Sequence, residues 1–130
     1  MILVDSSVWI DYFNGVNTPQ VDVLDGILGR ELIIIGDLIL TEVLQGFSKD
    51  TDFNTAKKVF ESMPYFDLVG KKIALMSAEN YRYLRKKGIT VRKTVDVIIG
   101  TFCIVNDLIL LHSDKDYDPM EKQLGLKIYR

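Results

Sequence analysis

The chain has 130 residues, the usual size of one domain, and 48% of them are apolar, which is enough for a buried core. Its 16 basic and 18 acidic residues give a net charge of -2, which excludes a generally basic nucleic-acid-binding surface and leaves only a local patch for such a role. No apolar run approaches the ~20 residues of a membrane span, and the lone Cys103 cannot form an internal disulfide. We therefore expect a single domain over residues 1–130, a buried thiol and a cytoplasmic protein without a membrane segment.

Short apolar runs alternate with segments of helical periodicity along the chain. In chain order the pattern predicts strand 2–4, helix 6–14, helix 20–29, strand 32–36, helices 38–47 and 51–63, strand 66–69, helix 73–87, helix 95–106, strand 107–113, helix 118–125 and strand 126–130. Asp37 and Thr94 are expected to cap the helices that follow them. This alternation is typical of an α/β fold, and we predict an α/β/α sandwich with a mostly parallel central sheet.

Three acidic residues directly follow predicted strands. Asp5 comes after the first strand, and Asp114 and Asp116 come after strand 107–113. In a parallel sheet, ligands bind outside the carboxyl ends of the strands. The three carboxylates are therefore expected at one edge of the sheet, provided that the two strands are neighbours.

Two more acidic residues lie within apolar helices. Glu42 is surrounded by apolar residues in helix 38–47, and Asp96 lies in the first turn of an otherwise core-like helix. An ionised carboxylate on a buried element is costly unless it is paired or bound to a metal. The same elements offer Glu42 no obvious basic partner, which favours a functional role for it.

Each of these acids also has an ordinary structural explanation. Asp5 is suited to cap the helix that follows it, and Asp96 to interact with a helix dipole. Asp114 and Asp116 are suited to loops and caps. Glu42 is harder to explain in this way, and the joint pattern is far more specific than any one member.

Four segments carry a resemblance to a known family. ILVDSSVWIDYF at 2–13, LTEVLQG at 40–46, TVDVIIG at 94–100 and LLHSDKDYDPM at 110–120 match, in order, the motifs of VapC-like proteins. Over essentially its whole length, the chain resembles the PIN-domain superfamily and, within it, the VapC ribonuclease toxins of bacterial and archaeal toxin–antitoxin operons. The resemblance implies a metal-dependent endoribonuclease that inhibits translation.

The resemblance also implies roles for individual residues. The expected acidic quartet is Asp5, Glu42, Asp96 and Asp114, with Asp116 as an additional acid and Ser6 as a positioning hydroxyl where Thr is common. Asp5 and Asp96 are expected to bind Mg²⁺ or Mn²⁺ directly, because hard cations prefer carboxylate oxygens. Asp114 is expected either to bind the cation or to hold its water, as is Glu42. Asp116 is a candidate ligand for a second ion, and which of Asp114 and Asp116 lies nearer the metal stays open.

A basic segment precedes Asp96. The six basic residues between Asn80 and Val95, with no acidic residue among them, are Arg82, Arg85, Lys86, Lys87, Arg92 and Lys93. They form a candidate phosphate-binding patch, in which Tyr81 and Tyr83 could stack on bases. Alternatively, these charges belong to a solvated helix C-terminus, where Lys and Arg interact favourably with the helix dipole.

Other functions must be weighed against the nuclease. A receiver-like signalling module also has an acidic Mg²⁺ pocket, but it needs an acidic pair after the first strand, where this chain has Asp5, Ser6 and Ser7. A phosphoaspartate phosphatase is disfavoured for the same reason. A nearer alternative is an RNA-processing PIN nuclease without an antitoxin. His112 is expected to have a structural role, while the expected partners are tRNA or rRNA, a VapB-like antitoxin and a second copy of the chain.

Overall fold

The strands and helices of the protein follow the predicted order closely. A computed structural model describes all residues from 1 to 130. Its elements are β1 (Ile2–Val4), α1 (Ser6–Phe13), α2 (Pro19–Ile27), β2 (Ile33–Gly36), α3 (Asp37–Leu44), α4 (Asp50–Glu61), β3 (Tyr65–Phe66), α5 (Gly70–Lys86), α6 (Thr94–Val105), β4 (Ile109–Leu111), a 3-10 helix (Lys115–Tyr117), α7 (Asp118–Leu124) and β5 (Lys127–Ile128). No helix is both long and apolar enough to cross a membrane.

The central sheet has five strands in the order β3-β2-β1-β4-β5, and every pair is parallel. β1 lies in the middle and pairs with β4 in a register that sets Val4 opposite Leu111. The condition that these strands be neighbours is therefore met. Asp5 and the loop that follows Leu111 leave the sheet at the same edge.

The helices form a layer on each face of the sheet. The chain moves outward from β1 through β2 to β3, and then returns to the opposite side of β1 for β4 and β5. Because parallel crossovers are right-handed, the two directions place α1–α4 on one face and α5–α7 on the other. α1 packs against α2 and α3, whereas α5 packs against α6 and α7. This arrangement confirms the α/β/α sandwich, and its strand order reverses between β1 and β4, where ligands bind in such sheets.

One strand and two helix caps differ from the prediction. The strand predicted at 66–69 is Tyr65–Phe66, because the N–H of Leu68 donates to Asp37 Oδ1 at 3.0 Å and not to a neighbouring strand. Asp37, expected as a cap, is the first residue of α3, and the same oxygen accepts the N–H of Leu38 at 2.8 Å. Thr94 is likewise the first residue of α6 and forms no cap hydrogen bond, since the cap position belongs to Lys93.

The region around β4 also departs from the prediction. The strand predicted at 107–113 is only Ile109–Leu111, because Asp107 turns the chain with a φ of 55° before the strand begins. After the strand, an unpredicted 3-10 helix carries Tyr117 into the core, where its side chain is fully buried. Cys103 is buried as expected. The 3-10 helix matters for function, because it forms one wall of the site described next.

Candidate active site

Asp5 connects β1 to α1 and is almost fully buried. Its Oδ2 accepts the N–H of Ser7 at 3.2 Å and the hydroxyl of Ser7 at 2.6 Å, so the predicted capping role is present. Its Oδ1 accepts the hydroxyl of Tyr117 at 2.8 Å. Both oxygens of this carboxylate are thus fixed by donors, which sets its orientation at the edge of the sheet.

Asp96 lies in the first turn of α6 and is 5% exposed. Its Oδ1 is 3.3 Å from the Tyr117 hydroxyl, and its Oδ2 is buried without any hydrogen-bond partner. Burial raises the pKa of Asp96 to about 7, with the charges of Asp5 and Asp114 adding to the effect and Lys93 opposing it. A buried carboxylate oxygen with no protein donor is unusual, and such an oxygen is suited to bind a cation.

Asp114 and Asp116 belong to the loop and 3-10 helix that follow β4. Carboxylate oxygens of Asp96, Asp114 and Asp116 lie within 4.8 Å of one another. Asp114 caps the 3-10 helix by accepting the N–H of Asp116 at 2.9 Å. Burial by itself raises the pKa of Asp114, but that N–H and the charge of Lys93 offset the effect, and the net shift is downward. Asp114 and Asp116 therefore both lie beside Asp96, in one cluster of three carboxylates.

Glu42 lies outside this cluster of three carboxylates. It is half-buried on α3, so its surroundings are less apolar than the sequence indicates. The Ser6 hydroxyl donates to its Oε1 at 3.1 Å, which connects Glu42 to the residue that follows Asp5. Burial raises the pKa of Glu42, against the lowering effect of the Ser6 hydrogen bond. Ser6 thus contacts Glu42 and not a carboxylate of the cluster.

Two residues at the site were missed by the sequence prediction. Tyr117 hydrogen-bonds Asp5 and lies next to Asp96, and Ser7 donates two hydrogen bonds to Asp5. Burial raises the pKa of Tyr117 well above its ordinary value, so the phenol keeps its proton and acts as a donor. Ser7 has a sequence signal, since a hydroxyl two residues after an Asp favours a local turn bond. Tyr117 has only its place three residues after Asp114.

His112 packs against the site but does not face the carboxylate cluster as a donor. Its Nδ1 accepts the N–H of Asp114 at 3.1 Å, and its ring centroid lies 4.8 Å from that of Tyr117. Burial lowers the pKa of His112, which favours the neutral ring that this acceptor role requires. The contacts fit the structural role expected for a strand-end histidine.

The six predicted phosphate-binding residues fall into two groups. Four lie in the last turns of α5 or just beyond them: Arg82, Arg85, Lys86 and Lys87. The other two face the acids, with Arg92 Nε 3.4 Å from Asp116 Oδ2 and Lys93 Nζ 3.5 Å from Asp114 Oδ2. Tyr83 is 44% exposed, and Lys87 lies over its ring. Of the six, Arg92 and Lys93 are therefore the ones that contact the acidic site.

The donor set fits a hard divalent cation. The cluster offers only carboxylate oxygens, which Mg²⁺ and Mn²⁺ prefer. Asp96 Oδ2 is buried and accepts no hydrogen bond from the protein, so it is free to bind a cation. Asp5 is not one of the three carboxylates of the cluster, but the Tyr117 hydroxyl contacts both Asp5 and Asp96, and the charge of Asp5 contributes to the raised pKa of Asp96. These residues can hold a cation, which would remove the repulsion between them.

The raised pKa of Asp96 predicts a pH-dependent stability without metal. Asp96 ionises near 3.8 in an unfolded chain and near 7 in the folded one, so the folded state holds this proton more tightly. In EDTA, stability from this group is therefore lost as pH rises from about 4 to about 7. Across this pH range, the melting temperature should fall less for Asp96→Asn than for the wild type. The other carboxylates are present in both proteins, so their effects cancel in the comparison. Equal declines would mean that Asp96 titrates normally.

Comparisons with known proteins identify the family of the chain. The profile of the PIN domain family matches residues 2–123. Ribonuclease VapC1 of Methanocaldococcus jannaschii is 31% identical over 131 residues, which cover 98% of this chain and 86% of that protein. Ribonuclease VapC11 of Mycobacterium tuberculosis is 26% identical over 129 residues, which cover 98% of this chain and 96% of that protein.

Solved structures share the fold at low sequence identity. VapBC2 from Rickettsia felis, bound to a DNA fragment from its promoter, has a chain that matches with a TM-score of 0.76 at 17% identity, covering 99% of this chain and 98% of that one. FitAcB from Neisseria gonorrhoeae matches with a TM-score of 0.71 at 16% identity, covering 100% and 97%. Together with the profile match and the relative at 31% identity, these findings show that the chain belongs to the PIN-domain family and is related to the VapC ribonucleases.

Proposed function

We propose that this protein is a metal-dependent endoribonuclease and the toxin of a VapBC-type toxin–antitoxin pair. The observation that carries the proposal is the buried, unpartnered Oδ2 of Asp96, which lies in a cluster with the carboxylates of Asp114 and Asp116. The relatives named as VapC ribonucleases support the RNA substrate. The family assignment offers no support for a receiver-like module or a phosphatase.

In this proposal the carboxylates hold Mg²⁺ or Mn²⁺. The ligands would be Asp5, Asp96 and Asp114, with Asp116 next to them. When bound, a divalent cation supplies charge stabilisation on the phosphodiester and activation of the attacking water. Asp5 is already oriented for this task, because both of its oxygens accept hydrogen bonds.

Glu42 has a different part in the proposal. It lies apart from the three-carboxylate cluster, and its position is fixed by the Ser6 hydroxyl at 3.1 Å. Burial raises its pKa, so it can exchange a proton closer to neutral pH than an ordinary Glu. We propose that it orients water at the border of the site, with Ser6 as the positioning hydroxyl.

The basic residues supply the attraction for RNA that the net charge of the protein lacks. Arg92 pairs with Asp116, and Lys93 pairs with Asp114. The side chains of Arg92 and Lys93 are 78% and 61% exposed, which leaves them accessible to a phosphate. The proposed contact surface also includes the residues at the end of α5, namely Arg82, Arg85, Lys86 and Lys87. Phosphate contacts of this kind add affinity without reading sequence, so the choice between tRNA and rRNA is not determined by them.

Partners and location belong to the same proposal. The similar structures of VapBC2 and FitAcB support a VapB-like antitoxin as the partner. We also propose that two copies of the chain form a homodimer, as the resemblance to VapC-like proteins implies. We propose that residues 1–130 form a single nuclease domain, since the PIN profile covers nearly all of them. A translation-inhibiting nuclease would act in the cytoplasm, where its RNA is.

RNA cleavage under metal control tests the proposal. The purified protein should cut RNA when Mg²⁺ or Mn²⁺ is present, and EDTA should stop cleavage, because the carboxylate cluster has no other way to activate water. Adding excess Mn²⁺ after EDTA should restore the activity. Products are measured on a denaturing gel with end-labelled RNA.

The control is Asp25→Asn, which changes an exposed acid on α2 and should respond to metal as the wild type does. Cleavage that continues undiminished in chelator would contradict the metal mechanism. Uptake of a phosphoryl mimic with no RNA cleavage would instead support a receiver-like module.

A further inference from the structure

Tyr117 is a tyrosine in an unusual place. Its side chain is fully buried beneath the site, and its ring packs against His112. A buried phenol needs a partner for its hydroxyl, and in most cores a backbone carbonyl serves. Here the hydroxyl points at two carboxylates, 2.8 Å from Asp5 Oδ1 and 3.3 Å from Asp96 Oδ1.

The hydroxyl has one proton for these two acceptors. The shorter distance assigns it to Asp5, whose other oxygen already accepts two bonds from Ser7. Asp5 is therefore held on both sides. Asp96 receives only the longer contact, and its Oδ2 is left entirely free of donors. The phenol thus lies between two carboxylates that would otherwise repel each other directly.

We propose that Tyr117 is a positioning residue for the metal ligands, whose hydroxyl holds the Asp5 carboxylate by a hydrogen bond and spaces it from the Asp96 carboxylate in the arrangement that binds the divalent cation. The inference rests on the proposed metal-dependent function. Groups that hydrogen-bond to metal ligands orient them, and their loss typically weakens metal binding by about 10- to 100-fold. Tyr117 is the one residue whose side chain lies within hydrogen-bond distance of both Asp5 and Asp96.

The test compares two Tyr→Phe variants that each delete a hydroxyl bonded to a carboxylate. Tyr117→Phe removes the contact at the site, and Tyr129→Phe removes an exposed hydroxyl that donates to Glu31 Oε2 at 2.9 Å. Calorimetric titration with Mn²⁺ should show a Kd about 10-fold or more higher for Tyr117→Phe, and an unchanged Kd for Tyr129→Phe. Tyr117→Phe should also cleave RNA more slowly than the wild type. High Mn²⁺ should restore its rate, and its KM for RNA should be unchanged.

A purely structural tyrosine gives a different result. Tyr117→Phe would then melt at a lower temperature in EDTA but bind Mn²⁺ as tightly as the wild type, and this outcome overturns the inference alone. A wild type that binds no Mn²⁺ overturns the proposed function as well. The two failures are therefore distinguishable.

A second measurement does not need Tyr117→Phe, in case that variant does not fold. Adding Mg²⁺ should perturb the near-ultraviolet absorbance of one buried tyrosine, because the hydroxyl bridges carboxylates whose charge the cation neutralises. The same perturbation should persist in Tyr129→Phe. A wild-type spectrum that does not change while calorimetry detects bound Mg²⁺ would overturn the positioning role.

Discussion

Asp5→Asn and Asp96→Asn are each expected to lower the rate of RNA cleavage by at least about 100-fold while leaving the fold intact. Both changes are nearly isosteric, and each removes a charge from a group that we propose as a direct ligand. Loss of a group that only orients a metal ligand lowers activity by up to about 100-fold, so loss of a ligand itself should lower it by at least as much. Single-turnover cleavage of end-labelled RNA measures the effect.

The matched control for this prediction is Asp25→Asn, which deletes the same charge from an exposed position on α2. It should cut RNA at the wild-type rate, and circular dichroism should show that all three variants are folded. If Asp96→Asn keeps near-wild-type turnover, its unpartnered oxygen has another explanation. If Asp5→Asn does so, Asp5 is only a helix cap.

Mn²⁺ is expected to raise the melting temperature of the wild type by about 5–10 °C at a concentration near a hundred times its Kd. A ligand that binds only the folded state at that excess stabilises it by about 2.7 kcal/mol, and the temperature shift follows from the unfolding entropy of a chain of this length. The stabilisation is expected because the cation compensates both the burial of the Asp96 carboxylate and its repulsion by Asp5 and Asp114, which together raise the pKa of Asp96 to about 7.

Asp96→Asn should lose most of this gain while matching or exceeding the stability of the wild type in EDTA. The substitution removes a buried charge that has no partner on Oδ2, and this change offsets the lost dipole interaction. If Asp96 only interacts with the helix dipole, the variant is instead less stable by about 0.3–1 kcal/mol with or without metal. Melting curves with EDTA and with Mn²⁺ distinguish these cases, and equal shifts in both proteins would remove Asp96 from the site.

The lengths of the strands were harder to predict than their presence. Residues 66–69 have the composition of a strand, yet the observed strand is Tyr65–Phe66 and ends three residues earlier. The reason is a side-chain bond between Asp37 and the N–H of Leu68, which are 31 positions apart and have no signal in the local pattern. Tyr117 escaped prediction in the same way, because its role depends on contacts with residues 112 and 21 positions away.

The sequence by itself determined the α/β class, the order of its elements and the acids that follow β1 and β4, since these depend on periodicity and on local position. Only the tertiary structure decided that β4 pairs with β1, which brings the loops after the two strands to one edge. It also decided that Asp96 joins Asp114 and Asp116 while Glu42 stays with Ser6. Such groupings arise from strand pairing and crossover direction, which bring distant positions together without leaving a mark on either local sequence.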